Sequence, residues 1–284
     1  MSSNGATGGI QSEPKRKLPQ VDNTRSSHPS GLSVLWSRIV PPTVVLLITI
    51  ALWETICQLG LVNEIIVPAP SAVAVSLAGM LDEGFFWDAT WVTMSETILG
   101  FLIGVALAWS IGTALGTFQW AKSAFYPIVV GFQITPRVAL APLFLTWFGF
   151  GLTSKVVMAA TICFFPVLLN VLVGLETVDQ NARIFMRSLG ASRWEEYKKL
   201  VLPSSLPLIF AGIKNAITLA LIGAIVAEFV GASRGMGVLI KSLNFQLDVA
   251  GGFAVIIVLM VFGLILYGIV ELIDSRVVFW RSHT

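Results

Sequence analysis

Six stretches of the chain are apolar for long enough to cross a bilayer, and the charged positions gather between them. Beginning near Ile39, Trp91, Phe125, Lys155, Leu206 and Ala250, each supplies the roughly 20 residues a spanning helix needs. The pattern predicts spans over Ile39–Leu59, Trp91–Gly116, a longer third region Ala121–Gly151, Lys155–Leu175, a fifth ending around Val230, and Gly251–Ile273. Pro41 and Pro42 are expected in the first turn of the first span, where proline is tolerated. After Pro68-Ala69-Pro70, Ser71 is expected to cap a short surface helix through Leu81.

Two spans carry internal features. In the second, Gly100, Gly104, Ala108, Gly112 and Gly116 recur every four residues, a ridge of small side chains suited to close helix packing, or to lining a groove. The third is interrupted by Pro127, Pro136 and Pro142, with Arg137 in its middle. It reads as a broken helix. Irregular backbone at membrane depth persists only inside protein or beside a wet cavity, so this element is expected to border a pathway. The fourth span holds Pro166, and Gly231, Gly235 and Gly237 read as a flexible turn between the fifth and sixth.

Residues 176–206 break the apolar pattern with nine charged positions from Glu176 to Lys199, and Ile184, Leu189, Trp194, Tyr197 and Leu200 interleave with them. That interleaving predicts two short amphipathic helices outside the lipid, hinged at Gly190, with Pro203 and Pro207 opening the fifth span.

Composition agrees with the bilayer: 12% of residues are charged, against about 25% in a soluble domain, and mean hydropathy is +0.83. A net charge of +2 gives no reason to expect nucleic acid. Its distribution says more. Lys15, Arg16, Lys17, Arg25 and Arg38 precede the first span, whereas Glu64, Asp82, Glu83 and Asp88 follow it without a Lys or Arg. The positive-inside rule then places both termini and the Arg183–Lys199 stretch in the cytoplasm. Residues 1–38 are expected to be a disordered tail, with a transmembrane domain over 39–284.

Candidate chemistry is sparse. Cys57, Cys163, His28 and His283 have no ligand spacing, so no metal site is expected, nor any catalytic cluster. No GxxxxGK[ST] loop occurs, so this chain is not expected to bind or hydrolyse ATP itself. Ionisable residues within apolar segments are costly and mark pathways or ion pairs. Arg137, Glu228, Glu96 and Glu54 are the pathway candidates, Arg137 either meeting an anionic solute or pairing with Glu96 or Glu228; Lys214 is expected to snorkel to the cytoplasmic face.

Gly190-Ala191-Ser192, followed after the right interval by Leu200-Val201-Leu202-Pro203, resembles the cytoplasmic loop of binding-protein-dependent ABC transporter permeases, whose pattern is Glu-Ala-Ala, three residues, Gly, nine residues, Ile-x-Leu-Pro. An ordered set of further landmarks resembles the branch importing sulfonates, taurine and nitrate: Pro68-Ala69-Pro70-Ser71, Gly100-Phe101, Ala141-Pro142-Leu143, Trp147-Phe148-Gly149, Phe164-Phe165-Pro166, Ala227-Glu228 and Gly235-Met236-Gly237. The chain departs at Ile184-Phe185-Met186, in place of Glu-Ala-Ala, and at Glu96, where a basic residue is usual. The resemblance implies an all-α integral membrane permease of the type I importer arrangement, multi-pass in a bacterial inner membrane. Its coupling loop would use Arg183, Arg187, Leu189, Gly190, Ala191, Ser192, Arg193 and Trp194 between helices 4 and 5. It also implies two ABC ATPase subunits holding ATP and Mg, a solute-binding protein or lipoprotein, a second permease copy and membrane lipid as partners. An ion-gradient-driven transporter using Glu54, Glu96 and Glu228 is the alternative.

Overall fold

The computed structural model describes residues 31–117 and 119–280. The expected 1–38 tail falls largely outside them, as do His28, Arg281 and His283. In chain order the elements are α1 Gly31–Gln58, α2 Pro70–Leu81, α3 Gly84–Thr117, α4 Gln119–Ile134, a 3₁₀ turn Arg137–Leu140, α5 Ala141–Phe148 and α6 Leu152–Glu176. There follow α7 Gln180–Ser188, α8 Arg193–Glu196, a π turn Tyr197–Val201, α9 Leu202–Gly231, α10 Met236–Phe245 and α11 Val249–Val277. Among the described residues, those up to 49 and those from 50 on form separate compact units, and the site elements belong to the second.

Among the described residues five helices are long and apolar enough to span; Ser123–Ile134 with Arg137–Phe148, bent by 83°, makes a sixth as one broken span. Pro136 lacks the N–H that a continuing helix needs, and the chain passes from α4 through the 3₁₀ turn into α5.

The core is built from α3, α6 and α9. Val167, Leu168, Val171 and Leu172 of α6 pack against Ile209, Ala216, Ala220 and Ala224 of α9, with Ala108 of α3 fully enclosed. The glycine ridge serves this contact. A Cβ at Gly100 would lie 2.5 Å from the Ala159 Cβ and 2.9 Å from the Val156 carbonyl oxygen, and Gly112 and Gly116 lie as tightly against Val171 and Leu175. Gly223 of α9 comes nearly as close to the Ala159 backbone. Small residues let the helices approach until dispersion contacts replace the hydrophobic drive that lipid does not provide.

Several boundaries differ from the sequence pattern. α1 starts at Gly31, so Pro41 and Pro42 lie inside it and not in its first turn. α2 begins at Pro70 with Ala69 as a cap lacking any side-chain bond. Ser71 is spent elsewhere, its N–H and hydroxyl donating to Glu54 at 3.0 and 2.7 Å. The expected glycine turn after α9 contains α10; only Gly235, at φ 122°, needs a glycine backbone. α8 also does not stop before Pro203. It runs through the π turn into α9, and the wider turn accommodates a proline at the start of that helix. The Lys214 ammonium meets Glu271 at 2.6 Å and Asp274 at 2.8 Å, tying α9 to α11 near the C-terminal end of the latter.

Candidate functional site

The loop between α6 and α9 is built from strong local signals. Asp179 caps α7 by accepting from the Asn181 N–H, 2.9 Å. Gly190, at φ 80°, ends it: the Gly190 N–H donates to the Arg187 carbonyl at 3.0 Å and the Ala191 N–H to the Met186 carbonyl at 3.1 Å. This is the paired closure that favours glycine after a helix. Ser192 then opens α8 through a reciprocal box with Glu195.

Charged residues of the loop pair with one another, and its large apolar side chains lie exposed. Glu196, 4% exposed, accepts from Arg187 at 2.8 and 3.3 Å and meets Arg183 at 3.5 Å, clamping α7 against α8. The hydrogen bond and charge of Glu196 hold the Arg187 guanidinium protonated even more firmly than usual. Arg183 also donates to the Leu175 carbonyl at 2.7 Å, closing the end of α6. Ile184, Phe185, Leu189 and Trp194 point outward, each between 58% and 68% exposed. Trp194 is steadied by stacking on Tyr197, with 5.7 Å between ring centroids. Sequence reasoning missed Glu196; its place one turn before the apolar run of α9 gave no sign that two arginines would converge on it.

At the other end of the core, α3, α6, α9 and α10 enclose a polar cluster. Glu228 is 1% exposed and Glu96 2%. Glu228 Oε1 accepts from the Thr93 hydroxyl at 2.6 Å and Oε2 from the Gly237 N–H at 2.6 Å. Thr93 in turn accepts from the Met236 N–H at 2.8 Å. Glu228 and Thr93 thus close the open N–H groups at the start of α10. Glu96 abuts Glu228, and its Oε2 has no partner among the described residues. The Lys155 ammonium, 3% exposed, lies near enough to act on both carboxyls and donates to the Phe150 and Gly151 carbonyls. Thr93 and Lys155 carried no motif in the sequence.

Arg137 meets neither carboxylate. One Nη donates to the Ile162 carbonyl at 2.9 Å and the other to the Gln133 carbonyl at 3.3 Å, while the guanidinium carbon sits 5.4 Å from the Phe165 ring centroid. The Ile162 carbonyl is the one Pro166 leaves without its helical N–H. Arg137 therefore joins the broken span to the proline break of α6. Glu54 accepts from Gln58 as well as Ser71, fixing the end of α1 to the start of α2.

Residues 97–279 match the family of binding-protein-dependent transport system inner membrane components. The chain is 32% identical over 247 residues to a riboflavin transport system permease of Chloroflexus aurantiacus, covering 87% of this chain and 92% of the relative. It is 30% identical over 235 residues to an aliphatic sulfonates transport permease assigned in Bacillus subtilis, covering 83% and 85%. An inward-facing MetNI methionine ABC transporter structure shares the fold, with a TM-score of 0.61 at 17% identity over 69% of this chain and 99% of that one. With the spans, the loop and the matched length in agreement, the chain belongs to the binding-protein-dependent transport system inner membrane components and is an ABC importer permease.

Proposed function

We propose that two copies of this chain form the translocation pathway, driven by two ATPase subunits that hold ATP and Mg and fed by an external solute-binding protein or lipoprotein. The termini and the α7–α8 loop lie on the cytoplasmic side, as the basic clusters require. The observation that carries the reading is the loop: a rigid turn at Gly190 presents four apolar side chains outside the apolar spans, while the Arg183–Glu196–Arg187 clamp keeps α7 and α8 moving as one body. Leu189 and Trp194 are the anchors for a groove on the ATPase; Ala191 and Ser192 set the turn between them. Arg137, Glu228, Glu96 and Glu54 are the pathway candidates, Arg137 as the half-buried charge at the helix break. The relatives' names include riboflavin, formylaminopyrimidine and aliphatic sulfonates, and a small organic solute is the substrate class that supports.

The test is ATP hydrolysis by the reconstituted complex. Solute-loaded binding protein should stimulate it, and Gly190→Trp should abolish the stimulation while permease abundance in the membrane stays unchanged. A Cβ at Gly190 meets no atom within 4 Å, so the indole would project outward from the loop, and the strain of a side chain at φ 80° falls on a turn outside the spans. Full stimulation by that variant rules out the loop as the docking element; solute uptake by the permease alone under a proton gradient rules out the ATP-driven reading.

A further inference from the structure

Between the loop and the ends of α3 and α6 lies a cavity of about 190 Å³ lined by Gly116, Leu175, Arg183, Arg187, Arg193 and Glu196, among others. Gly116 and Leu175 belong to the last turns of α3 and α6, so the cavity opens where the apolar spans give way to the charged loop. Three guanidinium groups share it with one carboxylate. Glu196 is fully engaged by Arg183 and Arg187, and Arg183 spends a further donor on the Leu175 carbonyl. The Arg193 side chain makes no hydrogen bond among the described residues; it lines the cavity, near enough to Glu196 to act on its carboxylate. The pocket therefore has an excess of positive charge and unused guanidinium donors against an apolar wall that includes Leu175 and Val201.

We propose that this cavity is a headgroup site for an anionic phospholipid of the leaflet on the loop's side, with Arg193 as the principal phosphate ligand. A guanidinium fork matches two phosphate oxygens, and basic pockets between spans on the cytoplasmic face attract anionic headgroups. The position suits a lipid better than a protein partner, because the exposed apolar residues Leu189 and Trp194 are not part of the cavity, whose wall includes the last turns of α3 and α6. A phosphate held between Arg193 and the ends of α3 and α6 ties the loop to the bilayer, so a displacement of the loop is delivered to the spans. The site rests on the proposed cytoplasmic placement of the loop, but not on its coupling to an ATPase.

The test is lipid retention by the full-length purified permease, read by native mass spectrometry with phosphatidylglycerol and, separately, phosphatidylcholine. Wild type should retain phosphatidylglycerol in preference. Arg193→Gln should lower that retention about fivefold, the worth of one basic residue at an anionic surface, with phosphatidylcholine unaffected, and Arg193→Lys should restore part of it. Arg193 is exposed, and an unchanged thermal midpoint would show that the variant is folded. Equal retention of both lipids, or of phosphatidylglycerol by both proteins, overturns the proposal. Displacement of phosphatidylglycerol by millimolar inorganic phosphate, without preference among lipids, assigns the pocket to a free anion and also overturns it. Loss of ATPase association by Arg193→Gln with lipid retention unchanged assigns Arg193 to the protein partner and likewise overturns the lipid site.

Discussion

Replacing Thr93 by Val tests whether α10 is held by the buried polar cluster. The two side chains have nearly the same shape, so no cavity opens; what disappears is one hydroxyl. That hydroxyl donates to Glu228 at 2.6 Å and accepts from the Met236 N–H at 2.8 Å, and Thr93 is fully enclosed. Thr93→Val leaves an oxygen short of a donor and an N–H without an acceptor. At about 1–3 kcal/mol for each buried group left unmade, the loss is about 2–6 kcal/mol. Thr93→Ser keeps the hydroxyl and removes one methyl, costing roughly 1 kcal/mol. Unfolding in mixed micelles should rank wild type, Ser and Val in that order. Hydrogen exchange should show the Met236 and Gly237 amides opening faster in the Val variant than in the Ser variant. If Val is as stable as Ser and the amides of α10 stay equally protected, the hydroxyl bridge does not hold the helix and the reasoning fails.

Gly100→Ala should cost about 1–3 kcal/mol by forcing α3 away from α6, since its Cβ would sit 2.5 Å from that of Ala159; Gly131→Ala, with nothing within 4 Å, should cost no stability. Equal midpoints for the two variants in the same unfolding assay would count against the tight ridge. Arg137→Ala should lower both solute uptake and stability, the latter by about 1–3 kcal/mol through the unpaired Ile162 carbonyl. Pro166→Ala returns an N–H to that carbonyl, so the double variant should lose less than the two singles together; additivity within about 0.5 kcal/mol would refute the link.

Much of this protein follows from one-dimensional signals. Span existence is set by runs of apolar residues, because every backbone polar group in lipid must be bonded within a helix. The break near Arg137 follows from Pro136, which lacks an N–H, and the loop from charges that lipid excludes. Gly190 announced a helix end because few other residues adopt φ 80°. The four-residue glycine period declared a packing ridge, and only the partner was missing from it: α6, whose Ala159, Val171 and Leu175 receive it.

What the tertiary structure alone decided is which charges meet. Arg183 and Arg187, 24% and 59% exposed, both pair with Glu196; Arg137 found two carbonyls and a ring where a carboxylate was one expectation. Glu96 and Glu228 lie 132 residues apart in sequence and abut because α3 and α9 pack on each other and on α6. Helix α10 was hidden for the same reason: its sequence is short and begins among glycines, and its first N–H groups are satisfied by Thr93 and Glu228, from other helices. Local sequence specifies which groups a segment leaves unsatisfied; the residue that satisfies them comes from a distant segment, and the packing of the helices selects it.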